Sequence, residues 1–220
     1  MATLLLRLSA PLQSWGAESK FETRRTQNFP TKSGVIGLLA SAMGYSREDS
    51  LENLNALKFG IRIDRDGELL RDYHVAKNQK DSYITQRYYL ADAVFLAGLE
   101  SQDTAFLNKI ADALKNPVYP LFLGRRSCPP TMPLFLGIRD TDLLTALRSE
   151  PYLSERKRKN NSEQKLRIVI DSEIPSETIR DVPVSFSKTN RKFSFRNTRE
   201  EYTEISSVQP VLMPTEHNPF

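Results

Sequence analysis

Apolar residues along this chain fall into short runs that switch between two periods. The stretch 3–8, TLLLRL, is nearly continuous and reads as a buried strand. From 10 to 26 the pattern lapses into a loop carrying Pro11, Trp15 and Gly16. Val35, Ile36, Leu38, Leu39, Ala42 and Met43 then recur at helical spacing and predict a helix over 31–44. Pro30 stands where a helix can begin, Thr31 or Ser33 can cap it, and Gly44 can end it. Leu51, Leu54 and Leu57 predict a second helix over 47–57. KFGIRID, 58–64, alternates as a strand. Asp66-Gly67 is a hairpin signal, with 68–76 as the partner strand. The segment 77–87, KNQKDSYITQR, is polar, with Tyr83 and Ile84 as its only large apolar groups, and reads as an excursion out of the sheet. A strand over 88–99 follows. A helix over 103–115 then carries Phe106, Leu107, Ile110 and Leu114 on one face, and 116–120 breaks it.

The order is strand, helix, strand, strand, helix, with one more strand expected. That is an α+β chain with a ferredoxin-like, RRM-like plan, shared by many RNA-binding modules. The boundary falls near 121–124. It divides a ferredoxin-like unit, 1–122, from an Arg-rich loop and smaller β-rich region, 123–220. The second part holds the proline-rich loop GRRSCPPTMP, a helical stretch at 141–147 and a strand at 166–170. Between them, 150–164 is polar and highly charged, a candidate mobile connector. No internal repeat is evident.

Composition adds three constraints. Hydrophobic residues at 39% and charged residues at 26% are ordinary for a globular protein. A net charge of +4 is mild, but it is unevenly spread. RKRK at 156–159 is unbroken. The stretch 180–199 interleaves Arg180, Lys188, Arg191, Lys192, Arg196 and Arg199 with Phe186, Phe193 and Phe195. Cations mixed with aromatics suit a polyanion with stackable bases, and a solvated loop face is the plainer reading. Cys128 is the single cysteine, which excludes a disulfide framework and a thiol metal cluster and fits a reducing cytoplasm. His74 and His217 are the only histidines, so a multi-histidine metal site is excluded too. No cofactor motif appears. The opening Leu4–Leu6 run is broken by Arg7 and does not read as a secretory leader, and no segment is apolar enough to span a bilayer.

Several positions can carry chemistry. The helix start at Lys32 and Ser33, preceded by Arg24 and Arg25, has the makings of a phosphate track; an ordinary capped helix is the alternative. In GRRSCPP, Arg125, Arg126 and Ser127 offer arginine forks and a hydroxyl to phosphate oxygens. Arg87 closes the polar excursion, and Arg191 lies in the basic, aromatic stretch. Trp15 can stack on a base or plug the core. Tyr73, His74 and Lys77 could together cleave RNA without a metal. Strand alternation points Tyr73 and His74 apart, however, which favours hydrogen bonding or stacking.

Three ordered segments add a resemblance. MATLLLRLSAPLQSWG with FPTKSGVIGLLASAMG, LLRDYHVA with YYLADAVFLAGL, and FLGRRSCPPTMPL resemble family five of the CRISPR-associated RAMP proteins. The similarity is closest to the subtype I-E form and covers roughly the first 140 residues; beyond that, RDVPVSF near Asp181 is the main match. The resemblance implies a non-catalytic subunit of a type I-E Cascade surveillance complex that binds the crRNA 5′ handle in antiviral defence. It implies crRNA, a repeated backbone subunit and a large PAM-recognising subunit as partners, with target DNA engaged indirectly. It also implies a thumb at about 77–87; there Tyr83 and Ile84, as the segment's only large apolar groups, are the expected interface anchors. Subtype I-C relatives process the crRNA precursor themselves, so a metal-independent endoribonuclease is the alternative.

Overall fold

The computed structural model describes residues 1–16, 23–78, 82–154, 165–174 and 176–204. Its elements in chain order are β1 (Ala2–Ser9), β2 (Leu12–Gln13), β3 (Thr23–Arg24), α1 (Lys32–Ala42), α2 (Glu52–Asn55), β4 (Lys58–Arg65), β5 (Glu68–Lys77), β6 (Ser82–Ala91) and β7 (Val94–Ser101). Then come α3 (Thr104–Lys115), β8 (Phe135–Arg139), α4 (Leu143–Ser149), β9 (Lys165–Asp171), β10 (Glu177–Ser185) and β11 (Lys192–Glu204). The protein is therefore mixed α and β with largely antiparallel sheets.

A seven-stranded sheet runs β10-β11-β9-β4-β7-β1-β8, antiparallel at each described pairing. The continuous leucines of β1 follow from burial on both faces. Leu4, Leu6 and Leu8 enter the large core with Ile36, Leu39 and Leu107 of α1 and α3. Leu5 points the other way, into a smaller cluster with Leu143 and Leu147 of α4. An isolated apolar run cannot distinguish one buried face from two, but the sheet can.

Four sequence expectations change. Residues 47–57 are not one helix. Ser46 N–H donates to Asp49 Oδ2 and Glu48 N–H to Ser46 Oγ, and such local side-chain bonds compete with helical ones, so only α2 forms. The Asp66-Gly67 turn does not pair its flanking strands, because β7 and β9 already occupy the two edges of β4. Instead β5 leaves the large sheet and pairs with β6 over ten residues each, from Glu68↔Ala91 to Lys77↔Ser82. The excursion is thus a long hairpin rooted at 68 and 91 rather than at 77 and 87, with 79–81 outside the described residues. Its outer part lacked a core pattern because ladder hydrogen bonds, not burial, hold it. Finally, 88–99 is two strands. Asp92, at φ 56°, turns the chain from β6 back into β7.

The hairpin joins β2 and β3 in a second, four-stranded sheet. The large sheet crosses the expected division at 122/123, since β8 pairs with β1 and β9 with β4. Residues 150–154, at the head of the expected connector, are held in place. Buried Arg62 donates to the carbonyls of Leu147, Glu150 and Pro151, and its partner Asp64 accepts from Leu153 N–H. The rest of that connector, including RKRK, lies outside the described residues, as do Phe21, His217 and the tail. Among the described residues, no helix is long and apolar enough to cross a membrane.

Candidate nucleic-acid interface

Two of the N–H donors that open helix α1 are already taken by the chain's own side chains. Thr31 is the N-cap, and its Oγ1 accepts from Gly34 N–H at 3.2 Å. Lys32 N–H donates to Asp181 Oδ2 at 2.7 Å. The anion at this helix start is the chain's own carboxylate, delivered by β10. Lys32 is 5% exposed, and its Nζ donates to Leu57 O at 2.9 Å and to Asp171 Oδ2 at 3.0 Å. Arg196 closes the group, with Nε 2.6 Å from Asp181 Oδ1 and Nη1 2.6 Å from Asp171 Oδ1. Burial works against the Arg196 charge, but the two carboxylates outweigh it and push the guanidinium pKa up. Two cations and two carboxylates balance in the interior. Lys32 is thereby removed from the expected phosphate track.

Trp15 is likewise internal. It is fully buried, its Nε1 donates to Gln13 Oε1 at 3.1 Å, and its ring lies so close to Gly34 that a Cβ there would come within 2.7 Å. It plugs the core and has no face free for a base. Ser33 is mostly buried, with its Oγ 3.3 Å from Thr31 Oγ1.

The arginines of GRRSCPP have a different setting. Gly124 sits at φ +82°, and a Cβ there would be 1.7 Å from the Ser14 carbonyl oxygen, so only glycine fits. The turn closes through Cys128 N–H to Arg125 O at 2.8 Å. Cys128 is the buried anchor. Burial pushes its thiol pKa up, although Ser127 and Arg125 pull the other way, so the neighbouring cations do not make a thiolate. Arg125 lies 4.5 Å from the centre of the Tyr89 ring and donates through Nη2 to Arg24 O at 3.0 Å. Its enclosed Nη1 has no hydrogen-bond partner among the described residues. Arg24 pairs in register with Arg87 across β3 and β6, and the enclosed Arg87 Nε also lacks a partner among the described residues. Arg126 and Ser127 are exposed beside them, as is Arg25 next to Arg24. The structure thus gathers Arg24, Arg87 and Arg125 on one edge, with Arg126 on the adjoining loop.

On the hairpin, His74 Nε2 contacts the Asp72 carboxylate on the same strand face, while Tyr73 projects from the other. Tyr83 and Ile84 are 56% and 51% exposed. Val75 stands opposite Ile84 and is also exposed.

Beside Gly124 opens a cavity of about 320 Å³. Small residues of α1, among them Ser33, Gly37 and Ser41, form one side; Tyr45 and Phe186 flank it, and Arg47 and Arg191 reach it. Arg191 lies 5.2 Å from the Phe193 ring centre, and burial together with the charge of Arg47 lowers its pKa. Tyr45, Arg47 and Phe186 escaped the sequence reading as site residues. The recurrence of small residues at 33, 37 and 41, one helical face, was the signal that could have found this wall. Among the described residues, no group of three His, Cys, Asp or Glu side chains is placed to hold a metal.

Comparisons with known proteins agree with one another. The family model described as CRISPR-associated protein (Cas_Cas5) matches residues 3–199. The CRISPR system Cascade subunit CasD of Escherichia coli (strain K12) is 38% identical over 156 residues, covering 61% of this chain and 70% of that protein. A solved chain of a CRISPR RNA-guided surveillance complex superposes with a TM-score of 0.80 at 33% identity, covering 92% of this chain and 90% of its own. A crystal structure of a Cas protein superposes with a TM-score of 0.75 at 40% identity, covering 92% of this chain and 95% of its own.

Proposed function

From the premise that this chain belongs to the CRISPR-associated Cas5 family, we propose that it is a non-catalytic, crRNA-binding subunit of a cytoplasmic Cascade complex. The observation that carries the reading is the arginine edge. Arg24, Arg87 and Arg125 converge there, and two enclosed guanidinium donors lack protein partners among the described residues. Phosphate oxygens match guanidinium forks in pairs, and Arg24 and Arg126 present theirs at the surface. Arg126 and Ser127 extend the edge outward, and exposed Arg25 directly follows β3. The crRNA 5′ handle is the strand that would follow this edge.

The fold supports the same reading. β1, α1, β4, β7, α3 and β8, with sheet order β8-β1-β7-β4, have the connectivity of a ferredoxin-like domain, a frequent RNA platform. The hairpin β5–β6 is the thumb of this reading, and exposed Tyr83 and Ile84 would meet the neighbouring backbone subunit and the first guide nucleotides. The large PAM-recognising subunit is the second protein partner, and target DNA is read by the guide through base pairing. Against catalysis, His74 is engaged by Asp72 and Tyr73 lies on the opposite strand face, so the two do not converge on one phosphate.

The test is the salt dependence of RNA binding. Replacing Arg125 and Arg126 by alanine should lower affinity across sequences and reduce the salt slope by about one per lost phosphate contact. The single Arg126→Ala protein, altered at an exposed position, guards against misfolding. An unchanged slope in the double variant would remove this loop from the interface.

A further inference from the structure

We propose that the cavity beside α1 takes in a single unstacked nucleotide, with its base against Phe186 and Tyr45 and its phosphate between Arg47 and Arg191. The inference rests on the RNA-binding reading above and assigns a pocket that the arginine edge does not use. The volume, about 320 Å³, is at the lower bound for small-ligand pockets. It is room for one nucleotide and not for a stack. The wall from α1 is low because Ser33, Gly37 and Ser41 have small side chains, so a flat group can lie directly on the helix. The ring of Phe186 already stands over this face, its Cζ 3.6 Å from where a Cβ on Gly37 would be. A base entering beside it would gain a stacking surface.

The charges make the second half of the argument. Arg47 and Arg191 are close enough for the Arg47 charge to help lower the Arg191 pKa. Among the described residues neither forms an ion pair with a carboxylate. Elsewhere this protein neutralises clustered cations with its own acids, as around Lys32 and Arg196. Two like charges held together without an acid are relieved by a bound anion. An aromatic side, a small-residue side and a pair of cations at the mouth describe a nucleoside monophosphate unit better than a free phosphate, which would leave the aromatic rings unused. Gly124 lies on the cavity rim and opens the GRRSCPP loop, so a strand lying along Arg125 and Arg126 can turn one residue inward here.

Binding of the four nucleoside monophosphates to the full chain, followed by heteronuclear NMR, tests this, with inorganic phosphate and free nucleosides as separate probes. At least one monophosphate should saturate and shift resonances of α1 and Phe186. Gly37→Leu, which fills the cavity, should weaken it by roughly tenfold or more. Arg47→Ala with Arg191→Ala should weaken it similarly, and free nucleosides should then bind no worse than before. Gly37→Ala serves to check folding; its melting temperature should not fall, because the added Cβ meets only ordinary contact. If Gly37→Leu is unstable, the double arginine variant carries the test alone. Monophosphate affinity unchanged in both would overturn the proposal, as would inorganic phosphate binding as tightly as the nucleotides. Failure of every monophosphate to bind, with an intact Arg125/Arg126-dependent salt slope, would reject this inference only. A chain that binds no RNA at all would reject the reading on which it rests.

Discussion

Asp181, Asp171, Lys32 and Arg196 show how one residue's role depends on neighbours far away in sequence. Each charge is tolerable because the other three are present, and removing one strands its partners in a dry site. Asp181→Asn should therefore cost about 3–5 kcal/mol, read as a lower denaturant midpoint with an unchanged m-value. The salt slope of RNA binding should not change in the fraction that remains folded. A midpoint within error of the original protein would show that the network is dispensable. Gly124 is the second residue with a sharp expectation. Alanine there must both adopt a positive φ and displace the Ser14 carbonyl, so Gly124→Ala should destabilise by about 1–3 kcal/mol or more. In the sequence Gly124 was only the first residue of a proline-rich loop; the carbonyl that forbids a side chain comes from Ser14, 110 positions earlier in the chain.

Elements bring their own tests. Helix α4 is capped by Asp142, whose Oδ1 accepts from Thr145 N–H at 3.0 Å. That hydrogen bonding holds its carboxyl below the ordinary aspartate range. The sign follows directly. A carboxyl with a depressed folded-state pKa stabilises fully above its unfolded pKa of about 3.9, and the contribution is lost as pH falls through the folded value. Asp142→Ala should thus cost about 1 kcal/mol near neutrality, and the gap to the original protein should close in acid. A gap that stays constant down to pH 2 would mean the cap is not acting through its charge. The hairpin β5–β6 has the opposite profile. Val75 and Ile84 face each other across the ladder yet are about half exposed, so replacing both with serine should shift stability by no more than about 1 kcal/mol. Assembly with partner subunits, followed by size-exclusion chromatography, should suffer far more. Normal assembly would dismiss the hairpin as an interface.

For the molecule as a whole, the distinction that matters is between holding RNA and cutting it. The purified protein incubated with a repeat-containing precursor RNA, with or without divalent cation, should leave it intact. Site-specific cleavage abolished by His74→Ala would replace the scaffold reading with the endoribonuclease one. The basic character of the chain is distributed to match the first outcome. Cations on the inner face of β11 and at the α1 start are neutralised by buried acids, whereas Arg24 on β3 and Arg126 on the GRRSCPP loop are exposed.

The amino-acid order alone determined the local periods. The buried run of β1, the cap and length of α1 and the amphipathic face of α3 were all legible, because each depends on neighbours within a few residues. The family was legible as well, since its motifs are contiguous. Only the tertiary structure decided which cations are available. Lys32 looked like a ligand for phosphate until β10 brought Asp181 to its backbone, and Arg196 looked like part of a basic surface until it closed the same network. It also decided that 77–87 is half of a long hairpin, because cross-strand hydrogen bonds leave no trace in hydrophobic periodicity. And it decided where Arg47 and Arg191 meet: Coulomb interactions act through space, and residues 144 positions apart become neighbours only once the chain has folded.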